Sequence, residues 1–152
     1  MTWHKEQPGQ REAEQRVADN IEKAWRCKLV KLKNIHSADY AAIVKDKCLD
    51  ERVAALIEIK CRSVSRDHYP TAIADINKCH KIDGYRQILH DCQAFLFYQW
   101  TDQCGYIEML PPYRATFMGR QDRGEDERDL YVQFPVADFK TIWRGQEYVD
   151  MP

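Results

Sequence analysis

The chain has 152 residues and a formal net charge of -1 at pH 7, and 44% of its residues are hydrophobic while 31% are charged. This length predicts one domain with a core able to exclude water, and this composition excludes a disordered chain. The charge excludes a global basic field, so any contact with nucleic acid must come from a local basic patch.

The N-terminal residues predict where the protein resides. Residues 1–8 contain no apolar segment typical of a signal peptide, and no apolar stretch of the chain reaches the length of a membrane span. We therefore expect an intracellular, cytoplasmic protein that is not bound to a membrane. In such a reducing compartment the six cysteines are expected to be free thiols. A structural zinc site is disfavoured, because no Cys-x-x-Cys or His-x-x-x-His pair is present.

Helical spacing marks the first predicted element. Ala13, Val17 and Ile21 recur on one helical face and predict a helix over residues 11–25. Three strands follow, because apolar and β-branched residues fill three short segments that are bounded by polar breaks. These segments are residues 27–33, 39–44 and 53–61, with a polar turn at 45–52 between the last two.

A second helix is predicted over residues 70–82, with a proline in its first turn and Gly84 just after its end. Its inner stripe would consist of Ala72, Ile76 and Cys79, which leaves Lys78 on the surface. The remaining predicted elements are strands over residues 94–100, 106–110 and 129–134, and a charged, solvated segment over 120–128.

The third predicted strand carries a pair of charges on one face. Residues two apart in a strand project to the same side, so Glu58 and Lys60 lie opposite the apolar Ile57 and Ile59. Burying a carboxylate and an ammonium is costly unless both meet partners. A divalent metal ion and a phosphate group would supply those partners.

A second carboxylate is predicted to lie across the hairpin from Glu58. If the hairpin is centred between positions 48 and 49, Asp39 and Glu58 are equally distant from that centre. Directly opposed residues of antiparallel strands have Cβ atoms about 4.5–5.5 Å apart. The two carboxylates would then converge and repel each other, which is tolerable if a cation binds between them.

This constellation resembles that of the PD-(D/E)xK nuclease superfamily, also called restriction-endonuclease-like. The resemblance covers about residues 11–100 and rests on Asp39 at the start of the second strand and on Glu58-Ile59-Lys60 in the third. Ala38 stands at the position of the motif's proline, where the family varies.

The resemblance implies an α/β fold in which a mixed central β-sheet is flanked by helices, with an α-β-β-β-α-β core and extra C-terminal strands. It also implies one nuclease-like domain over residues 1–152, with the core at about 11–110 and a C-terminal elaboration at 111–152.

The resemblance further implies hydrolysis of DNA phosphodiester bonds with Mg²⁺ or Mn²⁺. Asp39, Glu58 and the backbone carbonyl of Ile59 would be the metal ligands, and such hard oxygen donors suit these ions. Lys60 would lie beside the attacking water and the scissile phosphate. Many members add a glutamate from the first helix, for which Glu14 is the leading candidate, with Glu12 and Glu22 as alternatives.

Three further cations are candidate contacts to the DNA backbone, namely Arg62, Arg66 and Lys78. The choice between a branched junction, a nicked duplex and a free end stays open, as does the choice between endonuclease and exonuclease. A homodimer is expected because the small core offers little surface for gripping a duplex, and the resemblance also suggests a phage protein. The alternative functions are a non-catalytic nucleic-acid-binding or assembly protein that keeps the fold, and a thiol or zinc protein.

Overall fold

The computed structural model describes residues 9–33, 38–45, 47–48, 50–118 and 129–149. Its helices and strands are, in chain order, α1 (Gln10–Trp25), β1 (Lys28–Lys31), β2 (Tyr40–Lys45), β3 (Glu51–Cys61), β4 (Thr71–Asp75), α2 (Ile76–Ile88), β5 (Gln93–Gln99), β6 (Gln103–Glu108), β7 (Arg114–Met118), β8 (Asp129–Pro135) and β9 (Lys140–Arg144). The segment predicted to be solvated at 120–128 lies outside the described residues. Within the described ranges, no helix is long and apolar enough to cross a membrane.

The first helix confirms the prediction from helical spacing. Val17, Ala18 and Ile21 are buried on the face of α1 that packs on the sheet. Gly9, which precedes the helix, has a φ of 89°, a left-handed conformation that glycine adopts without steric cost. Arg26 ends the helix with a φ of 51°, and its N–H donates to the carbonyl of Glu22.

The hairpin of β2 and β3 starts in the predicted register. Tyr40 pairs with Ile57 and Ala42 pairs with Ala55, which is the register that sets position 39 opposite position 58. A bulge between Ala42 and Ile43 then shifts the pairing by one residue. The predicted turn at residues 45–52 is too long, because β2 continues to Lys45 and β3 already begins at Glu51.

The main sheet has six strands in the order β1-β2-β3-β5-β6-β9. It is mixed, as predicted, because β3 and β5 run parallel while the other neighbours run antiparallel. The strand β9 comes from the C-terminal part of the chain and pairs with β6. The C-terminal residues therefore contribute directly to the central sheet.

The predicted second helix is wrong in its first half. Thr71–Asp75 forms β4, in which Ala72 and Ala74 are buried on alternate positions, and α2 begins only at Ile76. The apolar residues of this segment fit both a helical and an alternating spacing, so periodicity alone did not separate the two. The helix also runs through Gly84 to Ile88 rather than ending at Ile82.

A second, three-stranded sheet in the order β4-β8-β7 covers one face of the main sheet together with α2. Two apolar clusters result. One lies between α1 and the face that carries Ile57 and Ile59, and the other lies between the opposite face, α2 and the small sheet. The strand β3 therefore runs between two covered faces, and its polar side chains need partners.

Candidate active site

The carboxylate of Glu58 lies inside the protein, at the centre of the candidate site. Ala55, Ile57 and Ile59 pack toward α1, so the alternation of β3 turns Glu58 toward the opposite face, as the sequence predicted. Glu58 is only 1% exposed. A carboxylate at this depth requires compensation from nearby charges or donors.

Two ammonium groups meet the same oxygen of Glu58. The Nζ of Lys78 donates to Oε1 at 2.8 Å, and the Nζ of Lys60 lies 3.2 Å from that oxygen. The other oxygen, Oε2, is buried and has no hydrogen-bond partner within the described residues. A buried acceptor without a partner costs about 1–3 kcal/mol, so this oxygen is suited to a ligand that the protein chain does not supply.

The titration of Glu58 follows from its surroundings. Burial raises the pKa of this carboxyl, and repulsion from Asp39 raises it further, while Lys60 and Lys78 act in the opposite direction. Burial also disfavours the charged ammonium of Lys78, but attraction to Glu58 outweighs it, so the pKa of Lys78 is raised. Lys78 therefore stays charged beside the carboxylate.

Asp39 is anchored across the hairpin, directly before β2. Its Oδ2 accepts the backbone N–H of Ile59 at 2.9 Å, and its own N–H donates to the carbonyl of Ile57 at 3.0 Å. These two bonds hold the Asp39 carboxylate against the backbone on either side of Glu58. The charge of Asp39 is, after burial, the second cause of the raised pKa of Glu58, so the two carboxylates belong to one electrostatic site.

Lys31, at the end of β1, connects Asp39 to the first helix. Its Nζ lies 4.0 Å from Oδ1 of Asp39 and 3.9 Å from Oε2 of Glu14. Glu14 is half-buried and Glu12 is exposed, whereas Glu22 accepts the backbone N–H of Leu29 at 3.0 Å and so fixes the start of β1. Among the three glutamates considered for this position, the geometry favours Glu14.

The donor set suits a hard cation. Within the described part of the chain, no group of three or more His, Cys, Asp or Glu side chains is arranged to hold a metal ion. Two carboxylates and a backbone carbonyl are nevertheless compatible with Mg²⁺, which is often held by one or two carboxylates and keeps several waters. The buried, unsatisfied Oε2 of Glu58 fits such an ion. The six cysteines are free thiols.

Comparison with known proteins assigns the chain to a family. A family model described as "Phage putative PDDEXK endonuclease" matches residues 3–142. The chain belongs to this family. No curated protein and no solved structure matched it. Membership in this phage PDDEXK family supports a nuclease-like function on nucleic acid, and the match extends past the core into β9.

The three cations proposed from the sequence have different positions in this PDDEXK protein. Arg62 follows β3 directly, and its guanidinium lies 5.3 Å from the centre of the Tyr98 ring. Lys78 was expected on the surface, but it lies against Glu58 instead. Lys78 has this position because residues 71–75 form β4, so α2 begins later than predicted. Lys78 therefore falls in the first turn of the helix.

Arg66 has a position that favours a structural role over substrate binding. One terminal nitrogen donates to the side chains of Gln103 and Thr141 at 3.1 and 2.8 Å. The other donates to the carbonyls of Val136 and Phe139 at 3.0 and 2.8 Å. These bonds use both terminal nitrogens to connect the loop after β3 to the C-terminal part of the chain.

Sequence reasoning missed Lys31 and the contact of Lys78 with Glu58. Lys31 could have been found from strand pairing, because it lies opposite Tyr40, the neighbour of Asp39. Lys78 could have been found from Asp75, whose carboxylate accepts the N–H groups of Asn77 and Lys78 as a helix N-cap. Recognising that cap would have set the start of α2 and brought Lys78 to the face of the sheet.

Proposed function

We propose that the chain is a divalent-metal-dependent DNA endonuclease whose catalytic residues are Asp39, Glu58 and Lys60, assisted by Glu14. The observation that carries this proposal is Glu58, a buried carboxylate with one oxygen between two ammonium groups and the other without a partner. The succession of α1, three strands, α2 and β5, interrupted only by β4, supports the α-β-β-β-α-β core of this nuclease class.

Asp39, Glu58 and the backbone carbonyl of Ile59 would hold Mg²⁺ or Mn²⁺. Such an ion, when bound, would lower the pKa of a water molecule and neutralise charge on the phosphate. The chain contributes the orientation of the donors. The N–H of Ile59 fixes the carboxylate of Asp39, and Lys78 fixes that of Glu58, so neither needs to reorganise before the ion binds.

Lys60 would act on the substrate itself. Its side chain is 24% exposed and that of Glu58 is 2% exposed, so Lys60 lies at the boundary between the buried acid and solvent. From there the ammonium would orient the attacking water or stabilise the charge that develops on the phosphate. The side chain of Lys78 is 37% exposed, but its Nζ lies closer to the acid, at 2.8 Å against 3.2 Å, and donates to it. Lys78 would therefore maintain the position of the carboxylate instead.

Cationic side chains in two clefts beside the site would contact the DNA backbone. A cleft of about 720 Å³ is lined by Arg11, Arg16 and Lys31 together with the acidic Glu12, Glu14 and Asp19, so its charges are mixed. Arg62 lies on the other side of the site and lines a second cleft together with Arg16. The net charge of -1 gives the protein no overall attraction to DNA. These cations would therefore supply the contacts to phosphate groups.

The alternative function is a non-catalytic nucleic-acid-binding or assembly protein that keeps this fold. One observation favours it, because Lys60 and Lys78 already neutralise Glu58 without a metal ion. A binding protein would retain these charges as structural ion pairs. The two functions differ in whether DNA is cut and in whether cutting depends on a divalent ion.

The proposal is tested by incubating the protein with linear, nicked and branched DNA in Mg²⁺, in Mn²⁺ and in EDTA. We expect cleavage in Mg²⁺ or Mn²⁺ and none in EDTA. The cleavage rate should fall by at least about 100-fold in Asp39→Ala and in Lys60→Ala. Lys81→Ala, which changes an exposed lysine of α2, is the matched control and should cut normally. Cleavage that persists in both site variants, or in EDTA, would remove the proposed site.

A further inference from the structure

A cavity of about 340 Å³ opens where the main sheet meets the small sheet. Its size falls within the range of roughly 300–1,000 Å³ that is typical of small-molecule sites. Its walls come from the loop after β3, the start of β4 and the end of β5, and they include Arg62, Tyr69, Thr71, Tyr98 and Trp100. The metal and acid residues of the candidate site do not line it.

The cavity is nevertheless adjacent to that site. Residues two apart in a strand share a face, so the chain places Arg62 about 7 Å beyond Lys60 on the side of Glu58. Lys60 is in register with Tyr98, which lines the cavity. The hydroxyl of Tyr98 also accepts the backbone N–H of Ile73 and donates to its carbonyl, which fixes the wall between the two sheets.

The walls have the chemistry of a site for a flat, aromatic group that carries a negative charge. Tyr69 is 59% exposed, and its ring packs edge-on against His68 at 4.4 Å. Tyr98 and Trp100 are each 3% exposed and form the buried floor of the cavity. Arg62 lies over the ring of Tyr98 and Arg66 over that of Trp100, so Tyr69 supplies the accessible ring face. Arg62 adds a cation at the side nearest Lys60. Aromatic rings stack on nucleobases, and guanidinium groups bind phosphates.

The edge of β4 adds hydrogen-bonding groups. In an antiparallel ladder the backbone groups of alternate residues point to the same side, so the groups of Thr71 point the same way as those of Ile73. Thr71 lines the cavity. Its backbone N–H and C=O can therefore meet the polar edge of a planar ring that stacks on Tyr69.

We propose that this cavity binds one unpaired nucleobase of a DNA strand, next to the phosphodiester bond that is cut. The proposal rests on the proposed nuclease function and narrows its substrate. A base stacked inside a duplex cannot enter such a cavity, whereas a mismatched, bulged or single-stranded base enters at lower cost. The enzyme should therefore prefer DNA that has an unpaired nucleotide beside the cleavage position.

Binding is tested without cleavage, in EDTA, with an oligodeoxynucleotide duplex that carries a bulged 2-aminopurine. Stacking in the cavity should quench the fluorescence of this base. Tyr69→Ala should weaken the binding that this quenching measures by about 5- to 100-fold. Tyr69→Phe retains the ring face and should bind and quench as the wild type does. Phe117→Ala is the matched control, because Phe117 is an aromatic residue of similar exposure, 64%, on β7.

Cleavage provides the second arm. The ratio of cleavage rates for the bulged duplex and for the fully paired duplex of the same sequence should exceed about tenfold in the wild type. Tyr69→Ala should lower this ratio toward one, and Phe117→Ala should leave it unchanged. Circular dichroism melting of each variant shows that the fold is intact.

The outcomes separate this inference from the proposed function. Metal-dependent cleavage with a ratio near one and no quenching overturns the base site and leaves the nuclease intact. Absence of cleavage on every DNA, together with quenching that depends on Tyr69, overturns the nuclease and supports the base site. Quenching that is equal in the wild type and Tyr69→Ala overturns the base site in either case.

Discussion

At the scale of single residues, the candidate site depends on how a buried carboxylate is compensated. Glu58 is almost fully buried, and Lys60 and Lys78 share one of its oxygens. A lysine in the first turn of a helix lies at the positive end of the helix dipole, which disfavours it. The hydrogen bond from Lys78 to Glu58 offsets this unfavourable position in the helix.

Removing the ammonium of Lys78 should reduce activity by loosening Glu58. We expect Lys78→Met to lower the rate of metal-dependent DNA cleavage by about 10- to 100-fold, the range typical of groups that orient a metal ligand. Lys81→Met, on the exposed side of the same helix, should have little effect. Equal rates for the two variants would show that Lys78 does not position the acid.

The raised pKa of Glu58 predicts a pH-dependent stability. Burial and repulsion from Asp39 raise the pKa above 4.5, so the folded protein retains a proton that the unfolded chain has released. Stability should therefore fall as the pH rises from about 4.5 through the pKa of the folded state. Glu58→Gln does not titrate, so its stability relative to the wild type should increase over that window.

Thermal unfolding in a chelator, recorded from about pH 4 to pH 8, measures this difference. Chelator is needed because a bound ion would stabilise the charged form of the carboxylate. A difference in stability between Glu58→Gln and the wild type that stays constant with pH would contradict the raised pKa.

At the scale of secondary structure elements, the sequence predicted the parts of the site that strand alternation determines. Apolar residues alternate with Glu58 and Lys60 along β3, and this pattern has one interpretation. The position of Asp39 opposite Glu58 was predicted from their equal distances to the centre of the turn. The bulge after Ala42 does not change that register. The bulge itself has no signal in the residue types, so the length of the turn was not predictable.

The prediction that failed was the first half of the second helix. Small residues such as Ala72 and Ala74 suit both a helix and a strand. Tertiary pairing with β8 decided in favour of the strand, and such long-range pairing is not visible in a local window. The position of Lys78 in the site depended on that decision.

The extended helix can be tested at Gly84. A Cβ at this position would meet no atom within 4 Å, and the residue lies inside α2. Gly84→Ala should therefore stabilise the protein by about 0.5–1 kcal/mol, because alanine loses less backbone entropy in a helix. Urea unfolding measures the change. A destabilising effect would indicate that the helix ends before Gly84, as predicted from the sequence alone.

At the scale of the whole molecule, the C-terminal part of the chain completes the main sheet. The strand β9 pairs with β6, and Arg66 joins the loop after β3 to residues near β9. The loop that follows the Glu58 strand is therefore held by residues more than seventy positions later in the chain. Arg62 and the cavity beside it depend on this connection for their position.

Close packing of β9 predicts that Gly105 does not tolerate a side chain. A Cβ there would lie 3.2 Å from the backbone oxygen of Lys140 and 3.2 Å from the ring of Trp100. Gly105→Ala should destabilise the protein by about 1–3 kcal/mol, opposite in sign to Gly84→Ala. Unfolding of both variants under the same conditions gives the comparison. An equal gain in stability in both would mean that β9 is not packed against β6.

The assembly of the protein belongs to the same scale. We propose a homodimer, because one domain of 152 residues offers limited surface for contacting a duplex and its two strands. The two clefts beside α1 and the cavity that Tyr69 lines all belong to one chain. A second copy would extend this surface along the DNA.

Binding of Mn²⁺, followed by electron paramagnetic resonance, tests the central claim most directly because it separates metal ligands from the catalytic lysine. The wild type and Lys60→Ala should both bind the ion, although Lys60→Ala should not cut DNA. Asp39→Ala and Glu58→Gln should lose Mn²⁺ binding by at least about 10-fold. Undiminished Mn²⁺ binding in both carboxylate variants would contradict the account, because the ion would then be held elsewhere.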